Sequence, residues 1–299
     1  MLGAAAIGTS ALAQESGAQG QGDAGVPTLN GTPSFELRPD DGASIGGGGD
    51  GQQDLAKQLS NPIANLISVP FQYNVDFNAG PDGDGVQHLL NIQPVIPFSL
   101  NDDWNLITRT IVPVLYLDDV RGEDTSDFGI GDTLQSFIFS PKESEVVWGV
   151  GPIVLYPTAT DATIGGERWG LGPTGVVLKQ DGPWTYGGLV NHVWSFGGTT
   201  GNRETLASER GGDVNRTFMQ PFVTYTTPEA WTFGGNLEAT FNWERDEWSI
   251  PVNVFVNKLV SIGEQPVQFQ VGTRYWLESA ENGPEGFGLR FGLTFLFPK

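Results

Sequence analysis

The sequence predicts an all-β fold: an antiparallel transmembrane β-barrel of about twelve strands, with a short N-terminal periplasmic helix and a disordered leader. Three observations carry this. Apolar residues recur at every second position over most of the chain, the segments that show this run to ten residues or more, and their connections alternate between tight turns and long acidic loops. A strand places alternate residues on opposite faces. A tilted strand needs about 9–11 residues to cross a bilayer, whereas the mean soluble strand has about 5–6.

Composition agrees. Of 299 residues only 17% are charged, below the usual ~25%, while 11% are aromatic, including nine Trp. Disorder throughout is excluded by that aromatic content. No run of 18 apolar residues exists, so no helical span is expected. Thirty-five acidic against fifteen basic residues give a net charge of −20, which argues against nucleic acid as a partner. The absence of cysteine removes disulfides, Cys-ligated zinc and thiol catalysis together.

In chain order, residues 2–13 (LGAAAIGTSALA) form a short apolar run closing on Ala11-Leu12-Ala13, an A-x-A cleavage pattern with no positive n-region. Residues 1–13 are therefore read as the remnant of a signal peptide whose start lies upstream. Residues 14–53, rich in Gly, Gln, Asp and Pro, cannot bury enough apolar surface to order themselves and read as a flexible leader. The barrel unit is 54–299. It starts with a helix over about 54–65, where Leu55, Leu59 and Ile63 share a face and Pro62 breaks or restarts the turn.

Twelve strands follow, at about 66–78, 86–100, 104–117, 127–140, 145–157, 169–180, 184–196, 215–227, 230–243, 247–260, 266–278 and 286–297. In the last, Phe287, Leu289, Phe291, Leu293, Phe295 and Phe297 alternate with Gly288, Arg290, Gly292, Thr294 and Leu296. The links at 101–103, 141–144, 181–183, 228–229 and 261–265 are tight. Those at 79–85, 118–126, 158–168, 197–214 and 279–285 are long, with only 244–246 short on that side. Outer-membrane barrels have short periplasmic turns and long outer loops. An even strand count puts both termini in the periplasm. Trp104 and Tyr116, Trp148 and Tyr156, and Trp231 and Trp243 bracket their strands as two interfacial girdles would. Two features resist the scheme. Pro94, Pro113, Pro152, Pro173, Pro221 and Pro251 fall inside strands, where a ring nitrogen cannot donate to the ladder, so bulges are expected there. The segments 169–180, 184–196 and 215–227 have mixed faces, and Leu189, His192 and Val193 have no clear side.

Several segments carry a family resemblance. Leu55-Ala56-Lys57-Gln58 and Asn61-Pro62 run into Ile67-Ser68-Val69-Pro70-Phe71-Gln72. Asn91-Ile92-Gln93-Pro94-Val95-Ile96-Pro97 follows, then the stretch from Trp104 to Val114, and Gly129-Ile130-Gly131-Asp132 opens the fourth strand. As a set, over about residues 54–299, these resemble the bacterial outer-membrane family labelled "MetA-pathway of phenol degradation", whose members are often named simply "transporter". The resemblance implies a barrel associated with uptake of small molecules, aromatic ones among them, and it brings no catalytic residues. The usual terminal Phe is replaced by Pro298-Lys299 after Phe297, so recognition by the barrel assembly machinery would use Phe295 or Phe297.

No catalytic set is expected. His192, Ser195 and Asn191 are the one candidate for an outer-wall lipase, and a spacing of three puts Ser195 on the opposite strand face from His192. His88 reads as an interfacial side chain. Asp82/Asp84, Asp118/Asp119 and Glu123/Asp124 read as solvated loop carboxylates that follow no calcium-loop pattern, so no metal is expected. No cofactor motif is present: the IGGGG stretch lacks the strand, helix and Lys of a phosphate loop. What remains is the lumen. Arg109, Glu238, Arg274, Arg290, Gln268, Gln270, Asn236 and Asn253 lie on the polar faces, and an arginine facing lipid at the midplane would cost about 2–4 kcal/mol. These eight are the expected lumen-lining residues and solute path, unless they fill the barrel as an ion-pair network. The function expected is an outer-membrane barrel, of a Gram-negative bacterium, that passes or binds small solutes. The alternative is a non-conducting surface barrel whose acidic loops bridge lipopolysaccharide through cations. Expected partners are outer-membrane lipid and lipopolysaccharide, a small-molecule solute and the assembly machinery.

Overall fold

The computed structural model describes residues 49–161, 164–166, 168–198 and 213–298. The expected signal remnant at 1–13 and most of the leader at 14–53 lie outside the described residues. The helix α1 spans Gly49–Leu59, with Lys57 in its last turn. It thus starts five residues before the expected position and ends six before 65. The end has a local cause. Ser60 and Asn61 close tight turns onto Lys57 and Gln58 (3.0 and 2.9 Å), the Asn61 side chain accepts from the Ile63 backbone N–H (3.0 Å), and Pro62 has no N–H to continue the helix.

The strands are β1 (Ile67–Ala79), β2 (Gly85–Ile92), β3 (Val95–Ser99), β4 (Trp104–Asp118), β5 (Ser126–Ile130), β6 (Thr133–Pro141), β7 (Val147–Tyr156), β8 (Arg168–Asp181), β9 (Trp184–Gly198), β10 (Asn215–Thr226), β11 (Trp231–Leu237), β12 (Ala239–Asn242), β13 (Glu247–Ile262), β14 (Gln265–Glu278) and β15 (Gly286–Phe297). Three pairs, β2/β3, β5/β6 and β11/β12, are single staves interrupted once, so the wall has twelve staves. Every pairing is antiparallel. β1 pairs with β15 from Ile67↔Phe297 to Asp76↔Gly288, and this seam closes the barrel.

The prolines lie at the irregularities. Pro94 is the gap between β2 and β3. Pro113 faces the break at Gly131-Asp132, where one extra residue turns the strand over. Phe128 and Ile130 point outward before it and Phe139 after it, while Ile138 and Ser140 are buried. Pro251 opens a register shift against β14. Pro221 and Pro251 stand on the two strands flanking the β11/β12 break, so Glu238 sits where both neighbouring ladders lack donors. Pro152 and Pro173 pair directly across β7 and β8. The ladders on their far sides are unpaired there, between Ser136↔Ile153 and Phe139↔Val150 and between Leu171↔Trp194 and Thr174↔Asn191. The glycines before them allow close approach: a Cβ on Gly151 would lie 1.8 Å from the Phe137 carbonyl oxygen, and one on Gly172 1.6 Å from that of His192.

The outer face is apolar. Val150, Val177, Val190, Val254, Phe269 and Val271 stand half-exposed around the wall. Aromatic pairs mark both ends. Trp104–Trp148 (ring centroids 5.9 Å) and Trp184–Tyr225 (5.0 Å) lie by the tight turns, and Tyr156–Trp169 (5.4 Å) and Tyr275–Phe287 (4.8 Å) by the long loops. Exposed aromatics at the ends of an apolar wall are what a lipid bilayer stabilises.

Candidate functional site: the lumen and its two closures

The barrel interior has two unlike walls. Strands β4 to β10 turn apolar side chains inward, and Ile107, Ile138, Val176, Leu178, Leu189 and Phe218 form one cluster. Strands β10 to β15 with β1 and β2 turn polar ones inward. All eight residues expected to line the lumen are buried on the inner face: Arg109, Asn236, Glu238, Asn253, Gln268, Gln270, Arg274 and Arg290.

Most of the eight are joined. Glu238 is the hub. Arg290 donates to both its oxygens (2.9 and 3.0 Å), Arg274 lies 3.6 Å from Oε2, and the Gln220 amide donates to Oε1 (3.3 Å). Arg274 also pairs with Asp76 (3.2 Å), whose other oxygen accepts from the Trp276 indole (3.0 Å). Arg290 Nε donates to Asn74 (2.7 Å). With its amide oxygen turned toward Arg290, Gln72 accepts from the same guanidinium (3.2 and 3.0 Å). Asn253 donates to Asn236 (2.7 Å), Gln270 to Asn257 (2.9 Å), and Arg109 to Gln93 (2.7 Å). Buried ions persist only when paired and hydrogen-bonded, and this lattice provides both.

Asp76, Asn74, Gln72, Gln93 and Gln220 also belong to the lattice, beyond the eight residues expected from the sequence. Their signal was available, since Gln72, Asn74 and Asp76 share one parity along β1. The apolar wall explains the mixed faces of 169–180 and 184–196. There both faces are apolar, so period two fades. Leu189 and Val193 point inward, and His192 points outward beside Trp194 with its ring centroid 4.1 Å away. His192 Nδ1 is 2.7 Å from the Thr217 hydroxyl, whereas Ser195 is turned to the interior and accepts from the Val214 N–H (2.9 Å). The His192, Ser195 and Asn191 set is therefore not assembled. His88 also faces outward, 2.7 Å from the Tyr73 hydroxyl. Among the described residues no three His, Asp or Glu side chains converge on a common metal position.

Both mouths are narrowed from within the chain. At the end with the termini, α1 and the turns after it lie inside. Ala56 and Leu66 pack on Ala230, Leu259 and Leu296, and Ile63 enters the apolar cluster. Gln180 of β8 donates to the Lys57 carbonyl (3.0 Å) and Gln52 to Ser261 (3.4 Å). At the loop end, Asp132 in the β5/β6 break accepts from the backbone N–H groups of Ala159 and Gly166 (3.2 and 2.6 Å). It draws that loop inward, and Ile164 packs against Leu89, Leu115 and Leu117. Between the N-terminal plug and the polar wall remains a cavity of about 60 Å³, lined by Leu59, Pro62, Arg109, Phe222, Thr224 and Asn236 among others.

The closed seam, the apolar exterior and the buried polar lattice together decide the class. The chain has the fold of an outer-membrane β-barrel. It resembles the crystal structure of an outer membrane channel from Pseudomonas putida F1, with a TM-score of 0.59 and 15% identity over 78% of this chain and 96% of that one. The outer membrane phospholipase A of Escherichia coli is a looser match, with a TM-score of 0.39 and 13% identity over 84% of this chain and 98% of that one. No family model and no curated protein sequence matches the chain.

Proposed function

We propose that this barrel sits in the outer membrane of a Gram-negative bacterium, termini in the periplasm, and passes small solutes through its lumen when the N-terminal plug moves. The observation that carries the reading is the lumen's division into an apolar wall and a hydrogen-bonding wall that meet beside the plug. Such a passage suits solutes with a small apolar body and one polar group, the class that includes simple aromatic compounds. Among the described residues the plug is held by the burial of Ala56, Ile63 and Leu66 and by side-chain hydrogen bonds from Gln180 and Gln52, with no ion pair to the wall. Its release exposes a few apolar side chains, at about 1.5–3 kcal/mol for each large one, and leaves the ion-pair lattice intact.

The lattice also favours a second reading. It fills much of the barrel, and a cavity of about 60 Å³ has room for only a few waters. A barrel that never opened would be a structural or surface-binding protein. Liposome swelling separates the two. Vesicles carrying the full chain should admit a phenol-sized solute faster than a disaccharide. Swelling no faster than that of protein-free vesicles for every solute tested would leave the structural reading.

A further inference from the structure

A second row of polar side chains crosses the lumen wall nearer the long loops. Arg216 of β10 stands in register with Val193 on one side and with Asn242 on the other, and Asn242 stands in register with Glu247 of β13. Val193 is buried on the inner face, as are Val214 and Phe218 two residues either side of Arg216, so the row points inward. The outward side of the same strands is fixed independently, since the Trp243 indole donates to the Thr217 hydroxyl (2.8 Å) and Phe241 packs on Trp248 (ring centroids 4.8 Å). Arg216 lies four residues beyond Gln220, and Asn242 four beyond Glu238, which puts the row about 13 Å from the hub of the lattice.

The arginines of the lattice are each paired. Arg216 is not. Among the described residues it makes no hydrogen bond and no ion pair, and the same holds for the Glu247 carboxylate. The charges that act on Arg216 are Arg245, Asp132 and Glu247, and none of them forms an ion pair with it. Arg245 is exposed on the turn between β12 and β13, and Asp132 is committed to the backbone N–H groups of Ala159 and Gly166. Asn242 gives its side-chain oxygen to the Glu244 N–H (3.1 Å) and keeps its amide N–H groups. Arg216, Asn242 and Glu247 are all half-buried and their polar atoms are not sealed in the wall, so they reach the open mouth.

Neighbouring strands lie about 4.8 Å apart, so the backbones of Arg216 and Glu247 stand about 10 Å apart with Asn242 between them. Opposite charges held apart on one face, each with its hydrogen-bonding capacity unused, match a molecule that carries both signs. From this row we infer that the outer mouth of the lumen binds a small amino carboxylate as its zwitterion. The ligand's carboxylate meets the Arg216 guanidinium and the Asn242 amide, and its ammonium meets the Glu247 carboxylate. The site is remote from the plug and does not rest on passage. Solute entry decides the solute-passing reading, and binding decides this one.

The test is a saturation-transfer NMR titration of the full chain in non-ionic detergent micelles, with 4-aminobutyrate as probe and butyrate and butylamine as its single-charge counterparts. Folding of each variant is checked by heat-modifiable gel mobility. 4-Aminobutyrate should bind about fivefold more tightly than either counterpart, the factor expected for one partly solvated charge pair. Arg216→Gln should lower 4-aminobutyrate to the level of butylamine and leave butylamine binding unchanged. Glu247→Gln should lower it to the level of butyrate and leave butyrate unchanged. Equal binding of the three probes to the unaltered protein would overturn the proposal, as would undiminished 4-aminobutyrate binding by either folded variant. If one variant does not fold, the other and the comparison of the three probes decide, and failure of either overturns it.

Discussion

Glu238 holds two arginines inside a membrane-embedded wall, and its energetics follow from what its loss would leave behind. Glu238→Gln would keep the size and one acceptor but strand Arg290 and much of the compensation of Arg274. Breaking a buried ion pair on one side costs about 3–5 kcal/mol. Urea unfolding of the refolded barrel in lipid vesicles should show a loss of that order. Removing both partners in Glu238→Leu/Arg290→Met should recover most of it, because an uncharged pair leaves no ion behind. An unfolding midpoint unchanged in Glu238→Gln would mean that the lattice carries no stability. At this scale the sequence was partly legible. Arg109, Arg274 and Arg290 could be turned inward by parity and by the cost of charge in lipid. Their partners could not be paired, because Glu238 meets Arg290 across the lumen and parity says nothing about chords.

Every stave was readable at its outer ends to within two residues, whereas its two faces could be told apart only where they differ in polarity. Strands such as β4 and β15 have one lipid face and one interior face of different polarity, so alternation fixes their ends and sides. The wall from β7 to β9 is apolar on both faces, which erases that contrast. The extra residue at Gly131-Asp132 inverts β6 relative to β5, and the reason lies in the neighbouring strand and the loop that Asp132 gathers. The prolines were readable as irregularities, yet their arrangement in facing pairs is tertiary. Pro152 opposite Pro173 leaves two ladders open, and Gly151 and Gly172 let the neighbouring carbonyls close in. Gly172→Ala should therefore destabilise the barrel by about 1–3 kcal/mol, the usual cost of forcing atoms into a packed site. Gly197→Ala, whose added Cβ would meet nothing within 4 Å, is the control. Equal urea midpoints for the two variants would refute the close-approach account.

For the whole molecule, one closed wall explains the composition. Low charge density belongs to staves that face lipid on one side, and Trp104, Trp148, Trp184 and Trp231 mark one interface, with Lys258 stacked over the last at 4.9 Å. The barrel's existence and strand order were legible because hydrophobic period and loop length are local signals. The contacts that close its mouths were not. The plug at 49–66 and the inward loop around Ile164 rest on contacts between distant residues, and the helix expected over 54–65 stops at Leu59, after which Ile63 enters the lumen. The central claim is that a movable plug governs passage through a two-walled lumen. Because the chain has no cysteine, Gln52→Cys with Ser261→Cys can be joined selectively by a short thiol cross-linker across a contact that measures 3.4 Å in the native pair. Single-channel conductance of this variant in a planar bilayer tests the claim most directly. The account predicts ion current before cross-linking, its loss when the plug is tethered, and its return on cleavage of a reducible linker; current of the same size with the plug tethered would contradict it.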